Sequence, residues 1–288
     1  MVVLVAGGAG QLGQSLRFIA GNYPEIEFHF LSSEALNIAD KESCKAVFSQ
    51  LKPHYCINAA AYTAVDKAES DIENATLINV EGAENLAQFC KDFNVTLLHV
   101  STDFVFDGNK TTPYKEEDAA NPTGVYGQTK LNGEKAVEAI LEAHFIVRTS
   151  WLYSQFGNNF MKTMIRLGNE KDSLSVVSDQ IGTPTNAVDL AEALIEIIQK
   201  AESRKANQTE LKIIYGTYHF SNEGQCSWFD FAKKIFEINA IEIDLKPIPT
   251  ASYPTPAARP KYSVLDKSKI KKILSGRIKN WEESLHKQ

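Results

Sequence analysis

The sequence is short of cysteine, of long apolar runs and of excess positive charge, and each shortage excludes a class of protein. It has only 4 cysteines in 288 residues, and Cys44, Cys56, Cys90 and Cys226 form no Cys-x-x-Cys pair. The 6 histidines show no short ligand spacing such as His-x-x-x-His. We therefore expect buried, reduced thiols, with neither a disulfide framework nor a zinc site.

The charge balance and the N-terminal residues exclude further classes. The 36 acidic and 30 basic residues give a net charge of -6, the opposite of the basic surface typical of nucleic-acid-binding proteins. No run approaches the roughly 18 apolar residues that a membrane span requires. Met1 leads straight into the apolar residues 2–5 without a basic segment, which argues against a signal peptide. These features predict a cytoplasmic protein with no nucleic-acid or membrane partner.

Short β-rich runs alternate with helical patterns through the first half of the chain. Strands separated by helices indicate right-handed crossovers and a parallel sheet covered on both faces. We therefore predict an α/β protein with a doubly wound, Rossmann-type sheet. The predicted strands are residues 2–6, 27–31, 55–58, 95–100 and 145–148.

After Trp151 the spacing of strands and helices becomes less regular. We predict a dinucleotide-binding Rossmann domain at residues 1–150 and a smaller substrate-binding lobe at residues 151–288, with some segments of the lobe returning to the sheet. Within it, helices are predicted at residues 158–167, 186–199 and 227–237, and a polar surface loop at 201–210. The five prolines between positions 247 and 260 exclude regular helix and predict a loop that covers bound substrate.

Three glycines at residues 7, 10 and 13 follow the first strand and open the first helix. Gly7, Gly10 and Gly13 at this spacing allow a tight turn, close approach of backbone N–H groups to a pyrophosphate, and close packing of helix on strand. The N-terminus of the helix would then stabilise the phosphates. The segment predicts a dinucleotide site.

The residues that would contact the adenosine ribose lie about 20 residues after the glycines, at the end of the second strand. Residues 31–33 read Leu-Ser-Ser, with neither the acid that selects NAD nor an arginine for the 2'-phosphate of NADP. The hydroxyl groups are compatible with either NADPH or NADH. Asn37 is placed to contact the adenine, or it serves as a turn residue. After the third strand, residues 58–63 supply small side chains where the chain must pass near the cofactor.

Tyr126 and Lys130 are spaced i, i+4, which places both on one face of a helix that begins near Val125. A tyrosine has a free pKa of about 10, and we expect the adjacent ammonium to lower it by favouring the phenolate. The spacing alone occurs by chance in a chain of this composition. However, a predicted strand ends just before Thr102, at the sheet edge where parallel α/β sheets bind ligands. Its hydroxyl can hydrogen-bond a carbonyl that is becoming an alkoxide.

Several longer motifs make the chain resemble the dTDP-4-dehydrorhamnose reductase family. They include the glycine segment, Ser-Thr-Asp-Phe-Val-Phe-Asp-Gly at 101–108, Tyr-Gly-Gln-Thr-Lys at 126–130, and Arg-Thr-Ser-Trp at 148–151. The resemblance continues through residues 58–69, 157–160, 179–185 and 254–260, so it covers nearly the whole chain.

The resemblance implies an oxidoreductase that uses NADPH or NADH to reduce the 4-keto group of a dTDP-linked sugar to dTDP-L-rhamnose, in surface polysaccharide biosynthesis. It implies that Tyr126 donates the proton, that Lys130 holds the nicotinamide ribose and that Thr102 polarises the carbonyl. Asp103, Trp151 and Arg259 would contact the substrate, with Arg259 a candidate for the diphosphate. The residues that would line the cofactor, besides Tyr126 and Lys130, are Gly7, Gly10, Gln11, Leu12, Gly13, Ser32, Asn37, Ala61, Tyr62 and Thr63.

Some features leave alternatives open. Some members of the family bind magnesium between subunits through glutamates, one of them in the first helix. Residues 14–17 here read Gln-Ser-Leu-Arg, so we expect no metal, and a homodimer built on it is in doubt. Trp151 is alternatively a core aromatic, and Arg259 an ordinary surface charge.

Two other functions compete with the reductase. A related sugar-nucleotide dehydratase would need a carboxylate where Phe104 stands, which argues against elimination chemistry. A non-catalytic regulatory subunit of the methionine adenosyltransferase type shares the fold. The intact set of Thr102, Tyr126 and Lys130 argues against a pure binding role. Another nucleotide-sugar reductase or epimerase is the remaining alternative.

Overall fold

A six-stranded parallel sheet forms the centre of the computed structural model, which describes residues 1–206 and 214–286. The strands are β1 Val2–Ala6, β2 Glu27–Leu31, β3 Tyr55–Asn58, β4 Thr96–Thr102, β5 His144–Thr149, β6 Leu152–Tyr153, β7 Ser173–Val177, β8 Ile181–Gly182, β9 Thr185–Asn186, β10 Gly216–His219, β11 Cys226–Ser227 and β12 Asp244–Ile248. The helices are α1 Gln11–Ile19, α2 Lys41–Leu51, α3 Val65–Ala68, α4 Ile72–Thr76, α5 Gly82–Asp92, α6 Val125–Ile140, α7 Phe160–Glu170, α8 Ala187–Ala206, α9 Trp228–Asn239 and α10 Trp281–Ser284.

The sheet has the strand order β10-β5-β4-β3-β1-β2, and its pairings are parallel. The predicted doubly wound fold is confirmed. Strand order reverses between β1 and β3, because the chain runs from β1 outward to β2 and then crosses back to the other side of β1. A crevice opens at such a switch point, outside the carboxyl ends of the strands, and this is where open α/β sheets bind ligands.

Two apolar layers cover the faces of the sheet. On one face α1 and α8 pack against the strands through buried side chains such as Leu16 and Leu194. On the other face α2 and α5 contribute Phe48 and Leu86. Because both faces are covered, a central strand such as β1, Val-Val-Leu-Val-Ala, is apolar throughout.

The predicted strands agree with the structure in β1, β2 and β3, whose bounds are the same. The fourth and fifth strands are longer than predicted, so Thr102 is the last residue of β4 instead of lying after the strand. The predicted helices 158–167 and 227–237 appear as α7 and α9. The predicted surface loop at 201–210 is wrong over 201–206, which continue α8; positions 207–210 lie outside the described residues.

The second half of the chain builds a smaller layer around α7, α9 and the parallel pair β7–β12. Buried aromatic and aliphatic side chains, including Phe231 and Ile235, form its core. Two segments of this half, β10 and α8, pack on the sheet of the first half. A domain boundary at residue 150 stays a prediction.

The four cysteines are buried free thiols. Among residues 1–206 and 214–286, none of the helices has both the length and the apolar character needed to cross a lipid bilayer.

Candidate active site

The glycine loop forms a cradle that fits a pyrophosphate. Gly7 has φ of +79°, and a Cβ at Gly13 would lie 2.4 Å from the carbonyl oxygen of Gly7. Gly10 precedes α1 without any side chain capping the helix, so the first-turn N–H groups are available to an anion. A Cβ at Gly10 would meet only the Gly7 carbonyl oxygen, at 3.2 Å. The backbone is therefore open to a ligand on that side.

Gln11 and Leu12, both predicted to line the cofactor, have other contacts. The Gln11 amide donates to the Leu152 carbonyl at 3.1 Å, and its oxygen accepts from Asn159 at 2.7 Å. The side chain therefore connects the glycine loop to the second half of the chain. Leu12 is buried in the core beneath the sheet, so only its backbone faces the cradle.

The residues after β2, predicted to contact the adenosine, lie beside the glycine loop. The backbone N–H of Gly8 donates to the Leu31 carbonyl at 2.7 Å, which brings the half-buried Ser32 close to the glycine loop. The side-chain oxygen of Asn37 accepts from the backbone N–H of Ala39 at 3.1 Å. Asn37 therefore serves as a turn residue, and its contact with an adenine stays a prediction.

The loop after β3 is held in place by a buried asparagine that sequence reasoning missed. Asn79 accepts a hydrogen bond from the backbone N–H of Tyr62 at 2.9 Å and donates to the Tyr62 carbonyl at 3.2 Å. Its amide also donates to the Thr129 hydroxyl on α6 at 3.1 Å. The segment containing Ala61 and Thr63 is thereby fixed relative to the helix that carries Tyr126.

Thr102 and Asp103 lie together at the carboxyl end of β4. The Thr102 hydroxyl donates to Oδ1 of Asp103 at 3.1 Å and accepts from the backbone N–H of Phe104 at 3.2 Å. Burial raises the pKa of Asp103 to about 6, although neighbouring hydroxyl groups oppose the shift. Its Oδ2 atom is buried without a hydrogen-bond partner among the described residues. It is an available acceptor for a substrate hydroxyl.

Tyr126 lies in the first turn of α6, beside these two residues. Its ring packs edge-on against Phe104, with ring centroids 5.5 Å apart. Burial and the charge of Asp103 raise the pKa of Tyr126 to about 12, against a lowering interaction with the Thr102 hydroxyl. The expected lowering of this pKa by Lys130 is therefore not seen in the chain alone, because burial dominates. A phenol with a raised pKa keeps its proton at neutral pH, as a proton donor must.

Lys130 lies one helical turn beyond Tyr126 and is buried. Its ammonium donates to the Val100 carbonyl at 2.7 Å. Burial lowers the pKa of Lys130 to about 8, while the charge of Glu134 one turn further on raises it. Both protonation states are therefore accessible near neutral pH.

Glu134, one helical turn beyond Lys130, forms a buried ion pair with Arg148. Two guanidinium nitrogens, Nε and Nη2, contact the carboxylate at 2.7–3.2 Å. The two positions come from α6 and from β5, and nothing in the local pattern of either segment predicted the pairing. Removing one partner of such a buried pair typically costs about 3–5 kcal/mol. The ion pair fixes α6 against the sheet, and Arg148 balances the negative charge of Glu134 near Lys130.

A cavity of about 670 Å³ opens beside Phe104, the residue that follows Thr102 and Asp103, between the carboxyl edge of the sheet and the second half of the chain. Phe104 lines it on the sheet side, and Trp151 and Trp228 line it opposite. The two indole rings stack with centroids 3.5 Å apart and planes 8° apart. Trp151 also has φ of +46°, an unusual conformation for a large residue that often marks a functional position.

Arg259 lines the same cavity from the proline-rich loop. Its Nη2 atom contacts Oδ2 of Asp66 at 2.7 Å, and the other oxygen of Asp66 accepts from the backbone N–H of Ala257 at 3.2 Å. Nη1 of Arg259 is buried without a partner among the described residues. Sequence reasoning missed Asp66, although it lies in one of the motifs that carry the family resemblance.

Comparisons with known proteins agree with this geometry. A family model described as the RmlD substrate binding domain matches residues 1–288. A dTDP-4-dehydrorhamnose reductase from Aggregatibacter actinomycetemcomitans is 40% identical over 98% of this chain and 96% of its own length. The chain belongs to the dTDP-4-dehydrorhamnose reductase family.

Solved structures of the family have the same fold. One from Clostridium acetobutylicum, also a dTDP-4-dehydrorhamnose reductase, has a TM-score of 0.91 at 40% identity and covers 99% of this chain and 96% of that one. One from Bacillus anthracis, in complex with NADP, has a TM-score of 0.90 at 38% identity, covering 98% and 96%. The resemblance predicted from the motifs is confirmed.

The structure brings together some of the site residues that the family resemblance implies. Thr102, Asp103 and Tyr126 form one cluster, Lys130 lies a turn behind, and Trp151 and Arg259 line the adjoining cavity. Among the described residues, no group of three or more histidine, cysteine or acidic side chains is arranged to hold a metal ion.

Proposed function

We propose that this protein reduces the 4-keto group of dTDP-4-dehydro-6-deoxy-L-mannose to give dTDP-L-rhamnose, using NADPH or NADH. The observation that carries the proposal is the cluster of Thr102, Asp103 and Tyr126 at the carboxyl edge of a doubly wound sheet, beside a cavity large enough for a nucleotide sugar. The family membership supports the same substrate.

The residues of this chain would deliver a proton to the carbonyl oxygen of the sugar and stabilise the negative charge that develops on that oxygen. A bound nicotinamide would supply the hydride to C4 of the sugar. Tyr126 donates the proton to the carbonyl oxygen, which its raised pKa allows it to hold until the transition state. The Thr102 hydroxyl hydrogen-bonds the same oxygen as negative charge develops, and such a bond is worth about 2.7–4 kcal/mol in the best cases.

The second half of the chain, residues 151–288, is proposed to hold the substrate as a separate lobe. Trp151 would contact the sugar through the part of its ring that lines the cavity, because one face is covered by Trp228 and Gly182 lies close against the ring on the other side. Arg259 would bind the diphosphate, and its unpartnered Nη1 supports this role. Oδ2 of Asp103 would accept a hydrogen bond from a sugar hydroxyl.

The direct test is oxidation of NADPH on addition of enzymatically prepared dTDP-4-keto sugar, with product identification by NMR. We expect turnover with this substrate and none with simple ketones. Binding of NADPH without any turnover would overturn the proposal in favour of the regulatory-subunit role. Return of an epimerised keto sugar without net oxidation of NADPH would favour an epimerase.

NADH and NADPH are both expected to support the reaction, with kcat/KM values within about a hundredfold of each other. Ser32 and Ser33 provide no charge at the ribose, and one charged hydrogen bond to a 2'-phosphate is worth about 1.5–3 kcal/mol. Steady-state kinetics with each cofactor will measure the ratio. Strict use of NADPH would contradict the prediction and implicate Arg17, whose guanidinium lies 4.5 Å from the Phe30 ring near the end of β2.

Replacing Arg259 by methionine is expected to raise KM for the sugar nucleotide by about 10–100-fold, with kcat much less affected. The change removes charge-assisted hydrogen bonds to the diphosphate, each worth about 1.5–3 kcal/mol. Arg166→Met is the matched control, because Arg166 is an exposed α7 residue paired with Glu170. An unchanged KM in Arg259→Met would assign Arg259 to its ion pair with Asp66 alone.

The remaining expectations belong to the same proposal. Both proposed reactants, a nicotinamide dinucleotide and a nucleotide-linked sugar, are cytoplasmic metabolites, so we place the enzyme in the cytoplasm. No metal is proposed, because α1 has no acidic residue in its first turn. A homodimer stays open.

A further inference from the structure

Asn58, His99 and Lys130 form a buried line of polar side chains behind the catalytic residues. Nδ2 of Asn58 lies 3.0 Å from Nδ1 of His99, and Nε2 of His99 lies 3.4 Å from Nζ of Lys130. All three side chains are almost fully buried, with 1–2% of their surface exposed. They come from β3, β4 and α6. The function proposed above uses only Lys130, so the other two polar side chains require an explanation.

The hydrogen bonds determine where the proton on His99 lies. Oδ1 of Asn58 accepts from the backbone N–H of Ala60 at 3.1 Å, so the asparagine must turn its amide N–H group toward His99. Turning the amide around would oppose two N–H donors at Ala60. Nδ1 of His99 therefore accepts a hydrogen bond and is unprotonated. A neutral imidazole then has its proton on Nε2, the nitrogen that faces Lys130.

Burial also keeps His99 neutral. It lowers the pKa of His99 well below the ordinary value, and the charges of Lys130 and His144 lower it further. The imidazole thus faces Lys130 with an N–H donor at all pH values near neutral. An ammonium group also has only donors, whereas a neutral amine has a lone pair that can accept the Nε2–H.

We propose that Asn58 and His99 are positioning residues that control the protonation of Lys130, by presenting an imidazole N–H donor to Nζ that favours the amine over the ammonium. The 3.4 Å separation is longer than the 2.7 Å bond from Lys130 to the Val100 carbonyl. This difference fits an ammonium that is turned away from His99.

The other charged and titratable groups near Lys130 do not provide this effect. Glu134 favours the ammonium, but its carboxylate is bound by Arg148. His144 acts on His99 from β5, where its Nδ1 faces the Leu141 carbonyl. Tyr126, on the same face of α6, keeps its proton and is uncharged near neutral pH. Burial and the Nε2–H of His99 therefore act together against the charge on Lys130.

The consequence for the reaction is a lysine that can give up a proton at the pH where the enzyme works. An ordinary lysine has a pKa of about 10.4 and holds its proton at neutral pH. Lys130, with a pKa of about 8, can donate a proton when Tyr126 has become a phenolate and take another from solvent between turnovers. This consequence rests on the function proposed above; the protonation itself does not.

The first test is the tautomer of His99 in the wild-type protein without ligand. Nitrogen-15 chemical shifts of the ring atoms distinguish a protonated from an unprotonated nitrogen, and only 6 histidines contribute signals. The His99 signals are assigned by their absence in His99→Gln. We expect a protonated Nε2 and an unprotonated Nδ1 between pH 6 and 9. A proton on Nδ1, or an imidazolium, overturns the proposal.

The second test reverses the tautomer by Asn58→Asp. A carboxylate only accepts, so Nδ1 of His99 must carry the proton and Nε2 becomes an acceptor for the ammonium of Lys130. The proton affinity of Lys130 should rise about tenfold or more, since a hydrogen bond from the ammonium to Nε2 of His99 favours the charged form. It is measured by NMR titration of the Lys130 side chain, assigned by its absence in Lys130→Met.

A control variant tests whether a buried carboxylate elsewhere has the same effect. Asn85→Asp introduces a carboxylate at another buried asparagine, whose amide donates to the Ile38 carbonyl, and it should leave the proton affinity of Lys130 unchanged. If Asn58→Asp raises the proton affinity of Lys130 while His99 keeps its proton on Nε2, charge alone acts and the proposal is wrong. If Asn58→Asp does not fold, the tautomer of His99 in the wild-type protein still tests the proposal.

The pH profile of turnover connects the proposal to catalysis. In the wild type, kcat should fall above about pH 8, where Lys130 loses its proton, and in Asn58→Asp this limb should move to higher pH. An unmoved limb, in a variant whose tautomer has switched, overturns the role of the pair in the reaction. Absence of any keto-sugar reduction by the wild type would contradict the proposed function only, because the NMR results do not depend on turnover.

Discussion

Tyr126→Phe is expected to lower turnover by about a hundredfold to ten-thousandfold, the usual contribution of a positioned general acid. The change removes the phenolic proton and keeps the ring that packs against Phe104 at 5.5 Å. The neighbouring Asp103 cannot replace it efficiently, because its pKa of about 6 leaves it mostly deprotonated at neutral pH. NADPH affinity should change little, because the glycine loop and Lys130 are intact.

The measurement is steady-state NADPH oxidation paired with fluorescence titration of the cofactor. Tyr23→Phe is the control, because it deletes a tyrosine hydroxyl beside α1 at a distance from the carboxyl edge of the sheet. Near-normal turnover in Tyr126→Phe would remove Tyr126 as the proton donor. A large loss of NADPH affinity would instead show that its hydroxyl mainly holds the cofactor.

Gly13→Ala is expected to weaken NADPH binding by about 10–100-fold, the effect of losing one hydrogen bond to a charged phosphate, worth about 1.5–3 kcal/mol. A Cβ at this position would lie 2.4 Å from the Gly7 carbonyl oxygen and 2.6 Å from the Cα of Gly8. Both are backbone atoms of the cradle, so relief requires α1 or the loop to move. The free energy of unfolding should fall by about 1–3 kcal/mol from overpacking, partly offset by the higher helix propensity of alanine.

Cofactor titration and chemical denaturation will measure the two effects. Gly21→Ala is the matched control, because a Cβ there would meet nothing within 4 Å. Equal NADPH affinity in wild type and Gly13→Ala would mean that the dinucleotide is held elsewhere. Loss of affinity in the Gly21 variant would show that the effect is not specific to the cradle.

Much of the fold was predictable from the sequence because the signals are local. Apolar runs of strand length, alternating with segments of helical period, predicted β1, β2 and β3 at their observed bounds. The glycine cradle was predictable for the same reason, since a positive φ and close packing of helix on strand demand glycine within a seven-residue segment. Tyr126 and Lys130 lie one helical turn apart, so their shared face also follows from the sequence.

The predictions from sequence were wrong where no residue marks the end of a helix or strand. The polar residues after position 200 read as a loop, yet α8 continues to Ala206 with the buried Ala201 on its inner side. Packing against the sheet outweighed the polar composition there, since most helical stability comes from burial of one face. Likewise β4 includes Thr102, because pairing with β5 extends the strand by two residues beyond its apolar run.

By itself, the sequence determined the fold class, the dinucleotide cradle, the family and the identity of the chemical groups, because each depends on residues close together in the chain. Only the tertiary structure decided what surrounds those groups. Three pairs of contacting residues lie far apart in the sequence. Asp66 and Arg259 are separated by 193 positions, Asn58 and His99 by 41 positions, and His99 and Lys130 by 31 positions. A pKa depends on burial and on every nearby charge, whatever its place in the sequence. For this reason the lowering of the Tyr126 pKa, expected from one neighbouring lysine, became a raised pKa once the whole environment was present.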